Sequence, residues 1–257
     1  TKAVQEQGIN TTGLVYDNDV HTTLALVLKK ENGDRDFAFY RNPGADMNLK
    51  EEEVDESLIA SSSIFHFGTL SLTDESVKKA TQKAVKVAKE NGLTITFDPN
   101  LREPLWRSLE EAHKQVAWGL QQADVVKISD NEITWFTGMD NYDEGIAFLQ
   151  KEYPNLKLIC LSMGGDGSKA VYRDIHVAYP AFLQEATIET TGAGDTFCAC
   201  MIHTVLENGI NHLDEEKLKE MLKFANAAAS LVTTKKGALR VMPTKEEVET
   251  FIENFKR

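Results

Sequence analysis

Two short alternating stretches near the start of the chain predict a β-ribbon. Residues 22–29, TTLALVLK, are rich in β-forming side chains, and residues 35–40, RDFAFY, alternate in polarity. Asn32 and Gly33 lie between them, and an Asn-Gly pair in this position is a strong signal for a tight hairpin turn. We therefore expect residues 19–42 to contribute a small β-ribbon.

From residue 64 onward, short apolar stretches alternate with segments that have helical spacing. The apolar stretches predict strands at residues 64–68, 93–99, 123–129 and 155–164, and a second hairpin at 167–172 and 175–180. The helical segments are residues 74–91, 108–122, 130–138, 195–208, 214–234 and 244–255. This alternation favours a mostly parallel sheet with helices on both faces. We predict an α/β fold, a three-layer α/β/α sandwich with a Rossmann-like sheet, in one domain over residues 1–257.

The charge balance and the cysteine content narrow the class of protein. The chain has 257 residues and a net charge of −12, with 40 acidic and 28 basic side chains. This excess makes nucleic acid and anionic membrane surfaces poor partners, so a phosphorylated ligand needs a local anion site. No apolar stretch is long enough for a transmembrane helix. Cys160, Cys198 and Cys200 form no metal or disulfide pattern, which indicates a reducing, cytoplasmic setting.

The stretch TTGAGDTF, residues 190–197, combines a candidate anion-binding loop with a carboxylate. Gly192 and Gly194 let the backbone approach a ligand closely, and the predicted helix adds the positive end of its dipole. Asp195 can accept a proton from an alcohol while the loop holds the oxygens of a phosphoryl group. An ordinary helix-start aspartate is the alternative. The glycine spacings of P-loop and dinucleotide-binding proteins do not occur in this loop.

Several motifs resemble those of the ribokinase-like (PfkB-type) carbohydrate kinases, and of their fructokinase branch in particular. In the family's order they are FAFYRNPGADM, IFHFG, FDPNLREPLW, VVKISDNEITWFTG, LSMGGDG, TTGAGDTF and KKGALRVMP. The resemblance covers nearly the whole chain and implies a ribokinase-like fold in which the early ribbon is a lid. The family's N-terminal strand and Gly-Gly sugar motif are absent from the chain. Either a preceding segment is omitted or the truncation is natural, and we expect omission.

The resemblance implies roles for individual residues. Asp195 is similar to the base that deprotonates the sugar hydroxyl, and residues 192–194 (Gly192, Ala193, Gly194) resemble the anion hole around the transferred group. Arg41 and Arg102 match positions linked to the acceptor, although each also suits a structural ion pair. Tyr40 would lie at the acceptor or in the core. The nucleotide would contact Lys127, Ser162, Gly164, Gly167, Asn226 and Gly237. For Asn226, an ordinary amide on a helix face is equally open.

The resemblance also implies two ion sites. The family's N-x-x-E motif falls on residues 129–132, where Glu132 would help to organise Mg²⁺ and Ser129 replaces the asparagine. An equally open alternative is that Glu132 is simply an acidic residue in the first turn of a helix, without a role in ion binding. Many relatives also hold a monovalent cation beside the anion hole, and K⁺ is an open expectation here. The matching residues are Glu189, where relatives carry Asp, and Thr191, Val232, Lys235 and Gly237.

The functional prediction is an ATP-dependent sugar kinase that uses Mg²⁺ and phosphorylates a primary hydroxyl of a ketohexose, converting fructose to fructose 6-phosphate. A 2-keto-3-deoxygluconate kinase is the close alternative, because two arginines suit an acceptor with a carboxylate. A nucleotide-binding module without catalysis is the alternative if the truncation is natural. We expect a small-molecule sugar and ATP as partners, no nucleic acid and no membrane. A homodimer through the ribbon stays open.

Overall fold

The chain folds into strands and helices in the predicted order. A computed structural model describes residues 1–29 and 35–255. The strands are β1 (Leu24–Lys29), β2 (Arg35–Tyr40), β3 (Ile64–Gly68), β4 (Thr94–Asp98), β5 (Val125–Ser129), β6 (Leu158–Ser162), β7 (Ser168–Tyr172) and β8 (Ile175–Tyr179). The helices are α1 (Lys2–Gln5), α2 (Glu56–Ala60), α3 (Glu75–Glu90), α4 (Leu109–Gln122), α5 (Asp130–Thr137), α6 (Tyr142–Glu152), α7 (Ala193–Asn208), α8 (Glu215–Val232) and α9 (Lys245–Asn254). No helix in these described ranges is long and apolar enough to cross a membrane.

The first two strands form a small sheet of their own. β1 pairs antiparallel with β2, with Leu24 opposite Tyr40. The predicted turn at residues 32–33 lies outside the described residues. Leu26 and Val27 are neighbours in β1 and therefore face opposite sides of the strand. They are 58% and 47% exposed, so both faces of this two-stranded ribbon are open to solvent.

The main sheet follows chain order, and in the described part of the chain its strands run β3-β4-β5-β6-β7-β8. β3 to β6 are parallel, whereas β7 and β8 continue the sheet antiparallel. Parallel neighbours joined by crossovers of one hand place their connecting helices on one face. Helices α3 to α6 accordingly share one apolar core with Phe97 and Val126. Helices α7 and α8 pack on the other face against Val125 and Cys160, which confirms the three-layer sandwich.

Helices α1, α2 and α6 are absent from the sequence prediction, although the start of α6 carries a recognisable signal. Asn141 Oδ1 accepts hydrogen bonds from the N–H groups of Asp143 and Glu144 at 2.9 and 3.4 Å, as an N-cap residue does. Gly145 in the first half of the helix lowers its intrinsic helix propensity. A Cβ atom at Gly145 would lie 3.0 Å from Cγ1 of Ile133, so this glycine permits α6 to pack closely on α5.

Polar residues end three neighbouring parallel strands. Asp98 ends β4, Ser129 ends β5 and Ser162 ends β6. Ser129 lies opposite Ser162 in the strand register, so these ends are at the same edge of the sheet. Ligands of open α/β sheets bind in the crevice outside the carboxyl ends of the strands. The functional site is therefore expected at this edge.

Candidate active site

The predicted glycine loop opens helix α7. Gly192 is its N-cap residue and has φ +82°, a left-handed conformation that favours glycine. The backbone N–H and the hydroxyl of Thr196 donate to the Gly192 carbonyl at 2.8 and 2.7 Å, which closes the first turn. The first N–H groups of a helix have no acceptor within the helix and lie at the positive end of its dipole. The Ala193 N–H donates to the Thr190 carbonyl at 3.2 Å, so it is the amides of Gly194 and Asp195 that are placed to bind an anion.

Asp195 lies in this first turn and is exposed to solvent. Its charge acts on two groups at the carboxyl ends of the strands. Burial lowers the pKa of His66 on β3, and the negative charge of Asp195 counteracts that shift. Burial raises the pKa of Asp98 to about 6; Lys127 opposes the rise, while Glu132 and Asp195 add to it. The charge of Asp195 therefore acts on ionisable side chains at the sheet edge, and the residue itself is exposed to solvent.

A buried ion pair lies directly beneath the loop. Nζ of Lys127 is 3.3 and 3.2 Å from the two carboxylate oxygens of Asp98, and the side chains are 6% and 7% exposed. A Cβ atom at Gly194 would lie 3.4 Å from this Nζ. Burial disfavours the charged form of Lys127, but the charges of Asp98 and Glu132 outweigh it and raise the pKa of Lys127. A stable positive charge thus supports the loop from inside the fold.

Four of the six predicted nucleotide residues meet in one cleft of about 360 Å³ on the other side of the loop, whereas Lys127 lines a second cleft and Gly237 lines neither. The lining of the first cleft includes Ser162, Gly164, Gly167 and Asn226, together with Ala193 and Gly194 of the anion loop. The amide of Asn226 is engaged within the wall, because its Oδ1 accepts from the Ser168 hydroxyl at 2.9 Å and its Nδ2 donates to the Tyr179 carbonyl at 3.0 Å. Asn226 therefore holds the cleft wall together, and its contact with a nucleotide stays a prediction.

Arg102 and Glu132 line a neighbouring cleft of about 340 Å³ with Lys127. Glu132 Oε1 accepts from the N–H of Leu101 at 2.7 Å, and its Oε2 accepts from the N–H and hydroxyl of Ser129, each at 2.8 Å. These bonds complete the capping box of α5 and tie the helix to the loop after β4. Within residues 1–29 and 35–255, no group of three or more His, Cys, Asp and Glu side chains is placed to hold a metal ion.

Arg41 lies at the base of the ribbon, outside both clefts. Its Nε and Nη2 are each 2.7 Å from Oδ2 of Asp46, and its Nη1 donates to the Thr73 hydroxyl at 2.8 Å. Nη2 also donates to the Leu70 carbonyl at 3.0 Å, and the side chain is 4% exposed. The guanidinium thus ties the ribbon to the loop after β3. Tyr40 is 64% exposed and does not belong to the core.

The residues predicted for a monovalent cation lie on two segments that run side by side. The N–H groups of Ile188 and Glu189 donate to the Thr233 carbonyl at 2.8 and 3.1 Å, and the N–H of Gly237 donates to Glu189 Oε1 at 3.0 Å. The structure therefore places four predicted residues on or beside this contact and next to the anion loop. They are Glu189, Thr191, Val232 and Gly237. Lys235 follows on the same segment, with its ammonium 3.5 Å from Glu247 Oε1.

Sequence reasoning missed Asp98 and His66 as members of this site. Asp98 is a charged residue at the end of an otherwise uncharged strand, TITFD, which is a signal for a buried polar contact. His66 lies opposite Thr96 in the register of β3 and β4, and its Nδ1 is 2.9 Å from the Thr96 hydroxyl. Only the pairing of β3 with β4 brings His66 next to Thr96 and places β3 beside the strand that ends at Asp98.

A parallel sheet whose strand ends face an anion loop, with a carboxylate in that loop, is suited to passing a phosphoryl group to an alcohol. The model of the pfkB family carbohydrate kinases matches residues 1–245, and the chain belongs to this family. The protein is accordingly a phosphotransferase that acts on a sugar hydroxyl, and its relatives place it in the fructokinase branch.

Named relatives cover almost all of the chain. Fructokinase-1 of Zea mays is 40% identical over 250 residues, which are 97% of this chain and 77% of the maize protein. Probable fructokinase-2 of Arabidopsis thaliana is 41% identical over 249 residues, 97% of this chain and 74% of that relative. The crystal structure of fructokinase with bound ATP from Xylella fastidiosa has a TM-score of 0.88 at 27% identity, and covers 98% of this chain and 80% of that chain. A fructokinase from Vibrio cholerae O395 with fructose, ADP and calcium has a TM-score of 0.87 at 26% identity, with the same coverage.

Proposed function

We propose that the protein is a fructokinase that transfers the γ-phosphoryl group of ATP to the primary hydroxyl of fructose and forms fructose 6-phosphate. The observation that carries this proposal is the position of Asp195, exposed in the first turn of α7 beside amides suited to a phosphoryl group. The relatives support the substrates, since the Xylella fastidiosa structure contains ATP and the Vibrio cholerae structure contains fructose and ADP.

Asp195 is the general base of the proposed reaction. Its carboxylate takes the proton of the sugar hydroxyl as the hydroxyl oxygen forms a bond to the γ-phosphorus. The bond from phosphorus to the bridging oxygen breaks, and ADP leaves with that electron pair. The amides of Gly194 and Asp195 and the ammonium of Lys127 stabilise the charge on the transferred group, which is the main task in phosphoryl transfer.

We place the nucleotide in the cleft of about 360 Å³, a size within the range of small-molecule sites. Its phosphates would lie at Ala193 and Gly194, at the end of the cleft formed by α7. Its base would lie between the turn at residues 162–167 and helix α8, where Asn226 shapes the wall. Gly237, on the segment after α8, would approach the base from the other side.

The proposed ions fit these residues to different degrees. Mg²⁺ would supply positive charge that offsets the negative charge of the phosphate groups. Glu132 would hold it through water, because its carboxylate lines the cleft beside Lys127 and retains acceptor capacity beyond its three hydrogen bonds. K⁺ would bind backbone carbonyls of the paired segments around Glu189 and Gly237. A Vibrio cholerae fructokinase variant of 25% identity contains a potassium ion.

Fructose is favoured over the alternative acceptor, 2-keto-3-deoxygluconate. That alternative requires arginines turned toward a carboxylate, and the guanidinium of Arg41 is instead engaged by Asp46, Thr73 and the Leu70 carbonyl. Arg102, which lines the second cleft, is the arginine we propose for contact with sugar hydroxyls. The exposed carboxylate of Asp195 likewise favours catalysis over a module that only binds nucleotide.

We further propose that residues 19–42 form a lid over the sugar and that two copies pair through it. Leu26 and Val27 support this because each exposes an apolar side chain on a different face of β1. Replacing Leu26→Lys should shift the protein from dimer to monomer in analytical ultracentrifugation. An unchanged sedimentation coefficient for the wild type and the variant would count against pairing through this strand.

The described cysteines support a reducing, cytoplasmic setting, which we propose for the protein. Cys160 and Cys198 are buried, Cys200 is partly buried, and all three are free thiols. Free, buried thiols of this kind are typical of compartments that keep cysteine reduced.

The experiment that tests the function is an ATP-consumption assay of the complete gene product. The sugar panel contains fructose, glucose, ribose and 2-keto-3-deoxygluconate, each with MgATP and with either K⁺ or Na⁺. We expect fructose to give the highest kcat/KM and the product to be fructose 6-phosphate by NMR. A clear preference for 2-keto-3-deoxygluconate, or ATP consumption that no sugar stimulates, would refute the assignment.

A further inference from the structure

We propose that Asp98 is a positioning residue for phosphoryl transfer, because it holds the ammonium of Lys127 beneath Gly194 and so fixes a positive charge under the anion loop. The inference rests on the proposed kinase function and goes beyond it by giving a role to a residue of the strand next to Lys127. Asp98 itself touches neither substrate in this arrangement and acts through the lysine.

The ammonium of Lys127 is held in place by the groups packed around it. Lys127 is on β5 and shares a face with Val125, which packs against helix α7. Asp98 ends the adjacent strand β4, and its two oxygens lie 3.3 and 3.2 Å from Nζ. From above, the backbone of Gly194 approaches so closely that even a Cβ atom would lie 3.4 Å from Nζ. The ammonium is thus enclosed between the Asp98 carboxylate and the first turn of α7.

The neighbouring charges explain why a cation is needed at this point. His66 on β3, Glu132 on α5, and Asp195 and Cys198 on α7 are the titratable groups that act on Asp98 or Lys127 from the surrounding elements. Two of them are carboxylates, and together with Asp98 they would oppose a phosphate group in the loop. Lys127 offsets that repulsion from below while the helix amides bind the group from above.

The role of Asp98 follows from the burial of the lysine. A buried amine without a nearby anion loses its proton readily, since burial disfavours the charged form. The carboxylate of Asp98, together with that of Glu132, reverses this effect and raises the pKa of Lys127. Without Asp98, Glu132 would be the main carboxylate left to oppose the effect of burial, and the lysine would lose its proton at a lower pH.

The test is the pH dependence of kcat for Asp98→Asn. We expect the wild type to keep its kcat between pH 7 and pH 9.5, whereas the variant loses about tenfold per pH unit once Lys127 deprotonates. KM for fructose should stay within about threefold, because Lys127 acts on the phosphoryl group. The double variant Asp98→Asn with Lys127→Arg should regain a flat profile, because a guanidinium keeps its proton.

A binding measurement gives a readout independent of turnover. The Kd of the non-hydrolysable ATP analogue with an imido β,γ-bridge is measured by calorimetry at pH 7 and pH 9.5. It should rise about tenfold across this range for Asp98→Asn and stay constant for the wild type and for the double variant. An Asp98→Asn variant with a lower kcat at every pH but an unchanged profile and unchanged Kd would overturn the proposal, because that is the result of a purely structural role.

A second pair of variants serves if Asp98→Asn does not fold. Lys127→Met leaves Asp98 able to take up a proton, so the buried site becomes neutral and the fold is retained. We expect this variant to lose at least about tenfold in kcat, while Lys127→Arg keeps most of it. A wild-type kcat for Lys127→Met would overturn the proposal. An inactive wild type would instead remove the proposed function, so the two failures are distinguishable.

Discussion

The variant Gly167→Ala tests how the turn after β6 shapes the nucleotide cleft. Gly167 has φ +95° and ψ −135°, a conformation that is nearly restricted to glycine. A methyl group at this position would lie 2.2 Å from the Tyr179 carbonyl oxygen and 2.8 Å from the Ala181 nitrogen. Both are backbone atoms, so no side-chain rotation relieves the contact. The turn or the strand end opposite it must move.

The expected cost combines two effects of similar size. Backbone strain at such a position contributes about 1–3 kcal/mol, and displacement of the loop after Tyr179 adds about 1–3 kcal/mol, as overpacking does in a core. We therefore expect the free energy of unfolding in urea to fall by about 3 kcal/mol. Ala181 and the residues that follow line the cleft, so KM for ATP should rise about tenfold, while KM for fructose stays unchanged.

Gly138→Ala is the matched control. Gly138 also has a positive φ, +71°, but no atom lies within 4 Å of a Cβ placed there, and it ends α5 outside the nucleotide cleft. The strain alone should cost about 1 kcal/mol and leave both KM values unchanged. If Gly167→Ala were no less stable than Gly138→Ala and had the same KM for ATP, the steric account of this turn would be refuted.

Three further predictions concern charge and burial. Because the pKa of Asp98 is raised from 3.8 to about 6, the folded chain binds a proton that the unfolded chain has released. The free energy of unfolding of the wild type, relative to that of Asp98→Asn, should therefore fall by about 2 kcal/mol from pH 4 to pH 7. If the free energies of both proteins, measured in urea, changed equally with pH, this would be contradicted. Burial raises the pKa of Cys200 to about 12, so native protein at pH 8 should react with iodoacetamide at least about tenfold more slowly than urea-unfolded protein; equal rates would contradict this. Arg41→Lys should lose about 2 kcal/mol, because an ammonium cannot reproduce the forked contacts with Asp46 and the loop after β3, and an unchanged midpoint in urea would contradict this.

Local signals in the sequence predicted most of the fold. Apolar stretches of about five residues mark the parallel strands correctly, and β4 to β6 are buried on both faces, whereas β3 is partly exposed. Ser108 is the N-cap residue of α4, where its hydroxyl accepts from the N–H of Glu111, and a serine at this position is a common signal for a helix start. Gly138 ends α5 in a left-handed conformation. The sequence does not predict helix α6, because Gly145 weakens the helical pattern. The structural reason for this glycine, the close packing of α6 on α5, is apparent only in the folded chain.

The candidate site could be predicted where one motif carries it, and could not where several strands meet. The loop at residues 192–195 is one continuous segment, so the sequence alone predicts that its glycines and its carboxylate lie together. The contact between Asp98 and Lys127 joins residues from adjacent strands, and its distance depends on the strand register. Arg41 was assigned to the acceptor from its motif, whereas the folded chain places its guanidinium on Asp46. A motif specifies residue types, but the packing of the folded chain decides which groups those residues contact.

The Asp195→Asn variant of the complete gene product is the most direct test of the proposed mechanism. The carboxamide preserves the shape of the side chain but cannot accept the proton of the sugar hydroxyl. We predict that kcat with fructose falls by roughly 10²- to 10⁴-fold. The Kd of the imido analogue of ATP should remain within about twofold of the wild type, since the amides of the loop are unchanged. A variant that phosphorylates fructose at close to the wild-type rate would contradict the assignment of Asp195 as the base.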